Sequence, residues 1–344
     1  MNHLHRSPTI ADVARRAGVS IATVSRVLNA TAPVEPGTVE KVTAAVQELH
    51  YLPRSAARVL ASRRTGTIGL LLTEIGGGFF SPLLRGIETG ARQAGYDLLI
   101  HCTRTVHLES SQPPKIPYRP LAEHNTDGLI IFTDSVDLRE LTRLHKMGFP
   151  VVLLHQAPPE DLNIPFITVE NKAGAEELVS HLIEVHGRQR IVFLRGPEEH
   201  EDSTWRERGY REALEVHGLV FDPDLVACGG FNETIAYRAV RKLLAEEVAF
   251  DAVFAGDDDA AHGVLQALLE AGKHLPEQVS LVGFDDLPFS RFMNPPLTTV
   301  RAPIEKVGLE AARLLVQVMR GEAVEPKVLL PTEVIIRQSC GCLS

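Results

Sequence analysis

The chain lacks the features of a membrane or secreted protein. No apolar run approaches the roughly 20 residues needed to cross a bilayer. The longest, such as Ile68 to Leu72, fit buried strands. The segment 1–8 carries His3, His5 and Arg6 but no apolar stretch, so it does not read as a secretory signal and is expected to be disordered. A cytoplasmic location is expected. Cysteine is scarce: Cys102, Cys228, Cys340 and Cys342 show no framework spacing. Cys340 and Cys342 supply two ligands, whereas a closed zinc site needs about four. They read as a chain-end tail, and neither a metal nor a cofactor is expected. Trp205 is the sole tryptophan and reads as packing.

What is present suits a globular protein of more than one domain. The 344 residues are 44% hydrophobic and 23% charged. The net charge of -9 argues against nucleic acid, but its distribution argues for it. Residues 1–64 hold nine Lys or Arg and four acids, a surplus of five positive charges, which leaves fourteen negative on the remainder. A basic head on an acidic body is the electrostatic footprint of a DNA reader joined to a separate sensor.

The head reads as three helices. Thr9-Ile-Ala-Asp12 has capping-box spacing, with Asp in place of the usual Glu. Ile10, Val13, Ala14 and Ala17 form one apolar face. Gly18 permits a left-handed turn, and Ser20 caps a second helix from about Ile21 to Leu28. Val24, Val27 and Leu28 face inward there, so Ile21, Ala22, Ser25 and Arg26 face out. A third helix follows Pro36, with Val39, Val42, Val46 and Leu49 on its inner face, and Pro53 ends the unit. Two short helices around a tight turn form a helix-turn-helix whose second helix enters the major groove. Arg26 can read guanine edges. Ile21 and Ala22 offer apolar contact. Thr9, Ser20, Thr23, Ser25 and Asn29 are placed for the DNA as well, the hydroxyls chiefly for phosphates.

The body, residues 66–344, alternates strands and helices. Strands are expected near 67–73, 96–101, 127–132, 150–155, 166–169, 190–195, 251–255, 279–284 and 333–337. Helices are expected near 80–94, 171–186, 204–217, 233–246, 258–271 and 303–320. This alternation predicts parallel sheets covered on both faces, in two similar doubly wound lobes. Ligands bind beyond the carboxyl ends of such strands. The residues there are acids and rings: Ala255-Gly-Asp-Asp-Asp259, Gly283-Phe-Asp-Asp-Leu287, Phe79 and Phe80 after Gly76-Gly-Gly78, and Phe231 after Gly229-Gly230, with Arg206 on an early helical turn. Acids accept hydroxyl protons and rings stack on C–H faces, which suits a sugar. Asp258 and Asp259 read as helix caps. His155, at a strand end, stands out modestly among the histidines.

At the level of residues, Ile10-Ala-Asp-Val-Ala-Arg-Arg-Ala-Gly-Val-Ser-Ile-Ala-Thr-Val-Ser-Arg-Val-Leu-Asn29 closely resembles the head of the lac-repressor (LacI/GalR) family. Arg54 to Arg64 resembles that family's hinge, with Ala57 and Leu60 at the positions that pack hinge helices and wedge a leucine into the minor groove. Val192-Phe-Leu-Arg-Gly-Pro197, Gly209-Tyr-Arg-Glu-Ala-Leu214, Val282-Gly-Phe-Asp-Asp286, Pro295-Pro-Leu-Thr-Thr299 and Leu330-Pro-Thr-Glu333 extend the resemblance over the body. It implies lobes of periplasmic-binding-protein type, with lobe 1 at about 66–164 and 295–327 and lobe 2 at about 165–294 and 328–340. The head then spans 9–53 and the hinge 54–65. Arg206, Asp257 and Asp285 match the family's polar effector clamp, Phe80 and Phe231 its sandwiching rings, and Asp202 and His200 are weaker candidates.

Two departures stand out. Four prolines in Ser111 to Pro120 forbid the helix the family has there. Gly76-Gly-Gly78 replaces more polar residues, which is expected to widen the pocket mouth. The resemblance implies a homodimer on a pseudo-palindromic operator, a small-molecule effector for which a sugar is the expectation and the identity stays open, and no catalysis. Inducer and corepressor remain open, as do two other classes: a carbohydrate receptor without a gene-regulatory role, and a hydrolase using Asp257 and Asp285.

Overall fold

A computed structural model of the chain describes residues 8–29, 32–51, 64–103, 121–198 and 200–343. Ala57, Leu60, Pro53, the Pro-rich segment 111–120 and nearly all of 1–8 lie outside the described residues. The chain divides into two units, Met1–Thr65 and Gly66–Ser344.

In the first unit, α1 (Ile10–Ala17), α2 (Ile21–Asn29) and α3 (Pro36–Glu48) surround a small core. Val13, Ala14, Val24, Val42, Ala45 and Tyr51 fill it. Helix α3 departs from expectation at one position. Val39 is exposed, while Ala45 and Tyr51 are buried. The inner face of α3 therefore begins one turn later than the valine spacing suggests, and the chain beyond the helix supplies the largest side chain. The ion pair of Arg16 with Glu48, at 2.6 Å, ties α1 to the end of α3.

The second unit contains two six-stranded sheets. The first consists of β1 (Thr67–Leu72), β2 (Asp97–Cys102), β3 (Gly128–Phe132), β4 (Val151–Leu154), β5 (Phe166–Val169) and β11 (Lys327–Leu330). Its order is β11-β5-β4-β3-β1-β2, and every pairing is parallel. The second consists of β6 (Ile191–Arg195), β7 (Val226–Cys228), β8 (Ala252–Ala255), β9 (Ser280–Asp285), β10 (Thr298–Arg301) and β12 (Glu333–Ile335). Its order is β12-β10-β9-β8-β6-β7, parallel except for β10 with β12. Strands β1, β3, β4, β8 and β9 are buried almost throughout. That is why they read as continuous apolar runs rather than alternating ones.

Among the described residues, seven α-helices cover the sheets: α4 (Phe80–Gln93), α5 (Leu138–Lys146), α6 (Asn171–His186), α7 (Glu201–Val216), α8 (Glu233–Ala245), α9 (Asp258–Glu270) and α10 (Ile304–Met319). Strand pairing corrects the lobe borders read from the sequence. Residues 166–169 and 327–330 pair side by side in the first sheet, and residues 298–301 pair in the second. The chain therefore crosses between lobes after β5, after β10 and after β11. The first and third crossings are tied together: Glu170 N donates to Leu330 O, and Thr332 Oγ1 donates to Glu170 O. Three backbone crossings, the first and third of them hydrogen-bonded together, form the link about which two lobes of one unit can change angle.

Candidate functional site

The head presents its surface chemistry on α2. Thr9 and Asp12 form the capping box that starts α1: Thr9 N donates to Asp12 Oδ2 at 2.9 Å, and Asp12 N donates to Thr9 Oγ1 at 3.4 Å. Thr9 Oγ1 also donates to Asp12, so this hydroxyl is committed to the cap. Gly18 has φ +68, the left-handed turn that ends α1. Ser20 Oγ then accepts from Thr23 N at 3.1 Å and starts α2. Val24 is fully buried, while Ile21, Ala22 and Arg26 are exposed on the opposite side, with Ser25 and Thr23 half-buried and Asn29 as the last residue. The face unites one guanidinium, two small apolar surfaces and a rim of hydroxyls. This is the chemistry that reads base edges and grips phosphates.

The second unit holds a cavity of about 530 Å³ between its lobes, within the size range of small-ligand sites. All seven residues singled out from the sequence line it: Phe80, His200, Asp202, Arg206, Phe231, Asp257 and Asp285. They are not equivalent. Arg206 lies at the centre of the second lobe's contribution. Its Nε donates to Asn171 Oδ1 at 2.9 Å, Nη1 to Gly256 O at 2.6 Å and Nη2 to Asp285 Oδ1 at 3.4 Å. Its guanidinium also lies 3.7 Å over the Phe284 ring. A buried cation is tolerable only with such partners.

Asp202 has spent both oxygens. His155 Nδ1 lies 2.7 Å from Oδ2, and Oδ1 accepts from Thr168 Oγ1 at 3.1 Å and Asn171 Nδ2 at 2.8 Å. Since His155 follows β4 and Thr168 lies on β5, this carboxylate on α7 joins the two lobes. Burial opposes its ionisation, yet His155 and Arg206 hold it well below the usual carboxylate range. Asp257 caps α9, its Oδ1 accepting from Ala260 N at 2.8 Å. Burial first, and the neighbouring Asp285 second, push it well above its ordinary value. Burial also raises Asp285, against the pull of Arg206. Burial lowers His200, favouring its neutral form, and the ring sits edge-on to that of Phe231 at 5.1 Å between centroids.

The backbone is strained where the cavity is lined. Asp134, Phe231 and Asp285 have φ of 59°, 51° and 105°, a region L-residues rarely occupy and one that clusters at binding sites. Gly196 and Gly256 make room for the Phe231 ring: a Cβ on either would run into it. From the first lobe, Phe80 meets Phe79 and Phe132 edge to face at 5.5 and 5.4 Å, Phe79 and Phe132 tilt against each other at 6.0 Å, and the three rings supply the opposing aromatic wall.

The structure overturns two readings of the sequence. Asp258 and Asp259 do not cap α9; Asp257 does. Asp258 is fully buried and accepts from Leu287 N at 2.8 Å, Ser290 Oγ at 2.5 Å and Thr299 Oγ1 at 2.6 Å, fastening the loop after β9. Asp259 Oδ2 accepts from Gly78 N at 3.0 Å, a second bond between the lobes. The three glycines do not simply widen the mouth. A Cβ on Gly77 would collide with the Asp259 carboxylate, and one on Gly78 would lie 2.8 Å from Leu287 Cδ1. Small residues let the lobes touch. His155 and Asn171 are the functional positions underrated by the sequence reading. Asn171 begins α6 with no local motif to mark it. Trp205 does not line the cavity and is partly exposed.

A helix-turn-helix head and a two-lobed body with a polar, aromatic-walled cleft together define a ligand-responsive DNA-binding protein. The comparisons say which kind. Residues 9–54 match the bacterial regulatory proteins of the lacI family, and residues 179–340 match a periplasmic binding protein-like domain. The transcriptional regulator CelR of Thermobifida fusca is 33% identical over 97% of this chain and 98% of its own. Catabolite control protein A of Priestia megaterium is 34% identical over 96% and 98%. Among solved structures, the lac repressor dimer bound to operator and the anti-inducer ONPF superposes with TM-score 0.81 at 26% identity, covering 97% of this chain and 99% of that one. The CelR–cellobiose complex superposes with TM-score 0.70 at 30% identity, covering 96% and 99%. The chain belongs to the lacI family of bacterial regulatory proteins. Among the described residues, no helix is long and apolar enough to cross a membrane.

Proposed function

We propose that this regulator is a homodimeric repressor of a pseudo-palindromic operator, and that a sugar bound between the lobes sets its affinity for DNA. The carrying observation is that the cavity is walled from both lobes while the lobes hydrogen-bond across it, through Asp202 with His155 and Asp259 with Gly78. A ligand touching both walls favours one lobe angle over others, and the coupling to DNA equals its differential affinity for those arrangements. Carboxylates of Asp257 and Asp285 would accept sugar hydroxyls, with Phe80 and Phe231 on the C–H faces. Of the buried nitrogens with no hydrogen-bond partner among the described residues, His200 Nδ1 belongs to a residue that lines the cavity, so it has capacity for a hydroxyl. The CelR structure with cellobiose supports a sugar ligand. Paired Leu60 side chains would kink the operator centre. The regulator works where bacterial DNA is, in the cytoplasm.

The enzyme reading loses ground on the roles of its two acids. Asp257 is tied to a helix end and Asp285 is paired to Arg206, and the curated relatives are regulators. The test is a gel shift of the full chain on its own upstream region, with cellobiose and ribose among the sugars. Retardation altered by one sugar supports the reading. Sugar binding without retardation would make the protein a receptor, and sugar turnover would make it a hydrolase.

A further inference from the structure

Four metal-binding side chains converge far from the cleft. His181 and His186 lie on the last turns of α6, and Cys340 and Cys342 follow β12 near the chain end. Their ligand atoms all lie within 4.8 Å of one another. Cys342 Sγ is 3.4 Å from His186 Nε2 and 3.7 Å from His181 Nε2. A tetrahedral zinc with Zn–S near 2.3 Å and Zn–N near 2.0–2.1 Å places its ligand atoms roughly 3.3 to 3.8 Å apart. The two sulfur–nitrogen edges from Cys342 are therefore already at coordination spacing, and no other edge exceeds 4.8 Å. The expectation of no metal, and of a mere tail, rested on counting two ligands. Folding supplies the other two, from more than 150 positions earlier in the chain.

The backbone around the cluster is fixed. Ser280 Oγ donates to Cys340 O at 2.6 Å, Ser339 Oγ donates to Leu281 O at 2.5 Å, and Thr298 N donates to Ser339 Oγ at 2.8 Å. The residue between the cysteines is Gly341, at φ +120, where L side chains are strained. A Cβ there would lie 2.8 Å from His186 Nδ1, so glycine is what leaves room for the His186 ring. Cys340 is fully buried and Cys342 half-buried, which leaves an open approach on one side. Cys340 Sγ also lies 3.3 Å from Arg337 O, a contact that a thiol makes and a metal-bound thiolate gives up. Asn171 places the start of α6 at the cleft. At 1.5 Å per residue, the two histidines sit about 15 to 22 Å further along the helix, so this cluster is separate from the effector site.

We propose that His181, His186, Cys340 and Cys342 bind one zinc ion that staples the C-terminal segment to the end of α6. Two thiolates and two imidazoles in a tetrahedron are the donor set and geometry of structural zinc. The ion is a stabilising clip on the second lobe, with no part in DNA reading or effector binding.

The test uses the full chain without an affinity tag, grown with added zinc and analysed for metal after dialysis. About one zinc per chain is expected, with near none in Cys342→Ser or His186→Asn and an unchanged content in Cys102→Ser. Chelation should lower the thermal midpoint of the native chain and leave that of Cys342→Ser unmoved, while operator binding persists in both. Should those variants fold poorly, cobalt substitution in the native chain decides: tetrahedral ligand-field bands with thiolate charge transfer support the site. A zinc-free native chain that also refuses cobalt overturns the proposal. So does full zinc content in folded Cys342→Ser, or a Cys340–Cys342 disulfide in the purified protein.

Discussion

Arg206 shows how much one side chain carries in this body. Three acceptors and an aromatic face hold its nearly buried guanidinium at the cavity wall. Arg206→Ala strands the Asp285 carboxylate, and losing one partner of a buried pair costs about 3–5 kcal/mol. Denaturant unfolding should record that loss. Arg206→Lys should fold better yet fail to respond to effector, because an ammonium cannot reproduce the planar fork. Asp258 gives a pH prediction. Burial lifts its carboxyl from an ordinary 3.8 to about 7, against three hydrogen bonds. The folded state then holds this proton more tightly than the unfolded one, so its contribution to stability falls as pH rises from about 4 to about 7 and is flat above. Asp258→Asn keeps the shape without the charge. Melting curves across that window should show the variant gaining on the native protein as pH rises, and parallel curves would contradict the assignment. On the head, Arg26→Ala should remove about 1–3 kcal/mol of base discrimination, read as operator against scrambled-duplex affinity, with effector binding untouched.

The elements show what a sequence discloses and what it withholds. The buried parallel strands were legible because both faces are covered, so their residues run apolar without a break. Three strands escaped. β7 has three residues, β10 begins with two threonines, and β11 is a short edge strand beginning with Lys327. Helix α5, Leu-Arg-Glu-Leu-Thr-Arg-Leu-His-Lys, buries only Leu141 and Leu144 and reads as polar. The lobe borders were misplaced because crossing from sheet to sheet needs no breaker residue. The cleft residues were legible through the phrases around them. Asp259 to Gly78 and Asp202 to His155 were not, because a bond between positions 181 or 47 apart leaves no local trace. Close approaches decide two predictions. Gly77→Ala puts a Cβ at φ +64 against Asp259. Strain of about 1 kcal/mol or more should weaken effector binding several-fold in titration calorimetry while the body still folds. Gly86 on α4 and Gly308 on α10 let those helices pack backbone to backbone. Gly86→Ala should cost about 1–3 kcal/mol through overpacking, visible as a lowered thermal midpoint.

At the scale of the whole molecule, the account is one of linkage. A basic three-helix unit carries a cation on its reading helix, and a separate acidic unit carries the cleft. Family membership joins the two tasks, and thermodynamics demands that they be reciprocal: a sugar that weakens operator binding must itself bind less tightly when operator is present, by the same factor. The most direct measurement is therefore sugar affinity of the full chain by calorimetry, with and without saturating operator duplex, beside operator affinity with and without that sugar. The account predicts two matching factors, in the range of about 5 to 150. A sugar that fills the cleft and leaves operator affinity unchanged would contradict it.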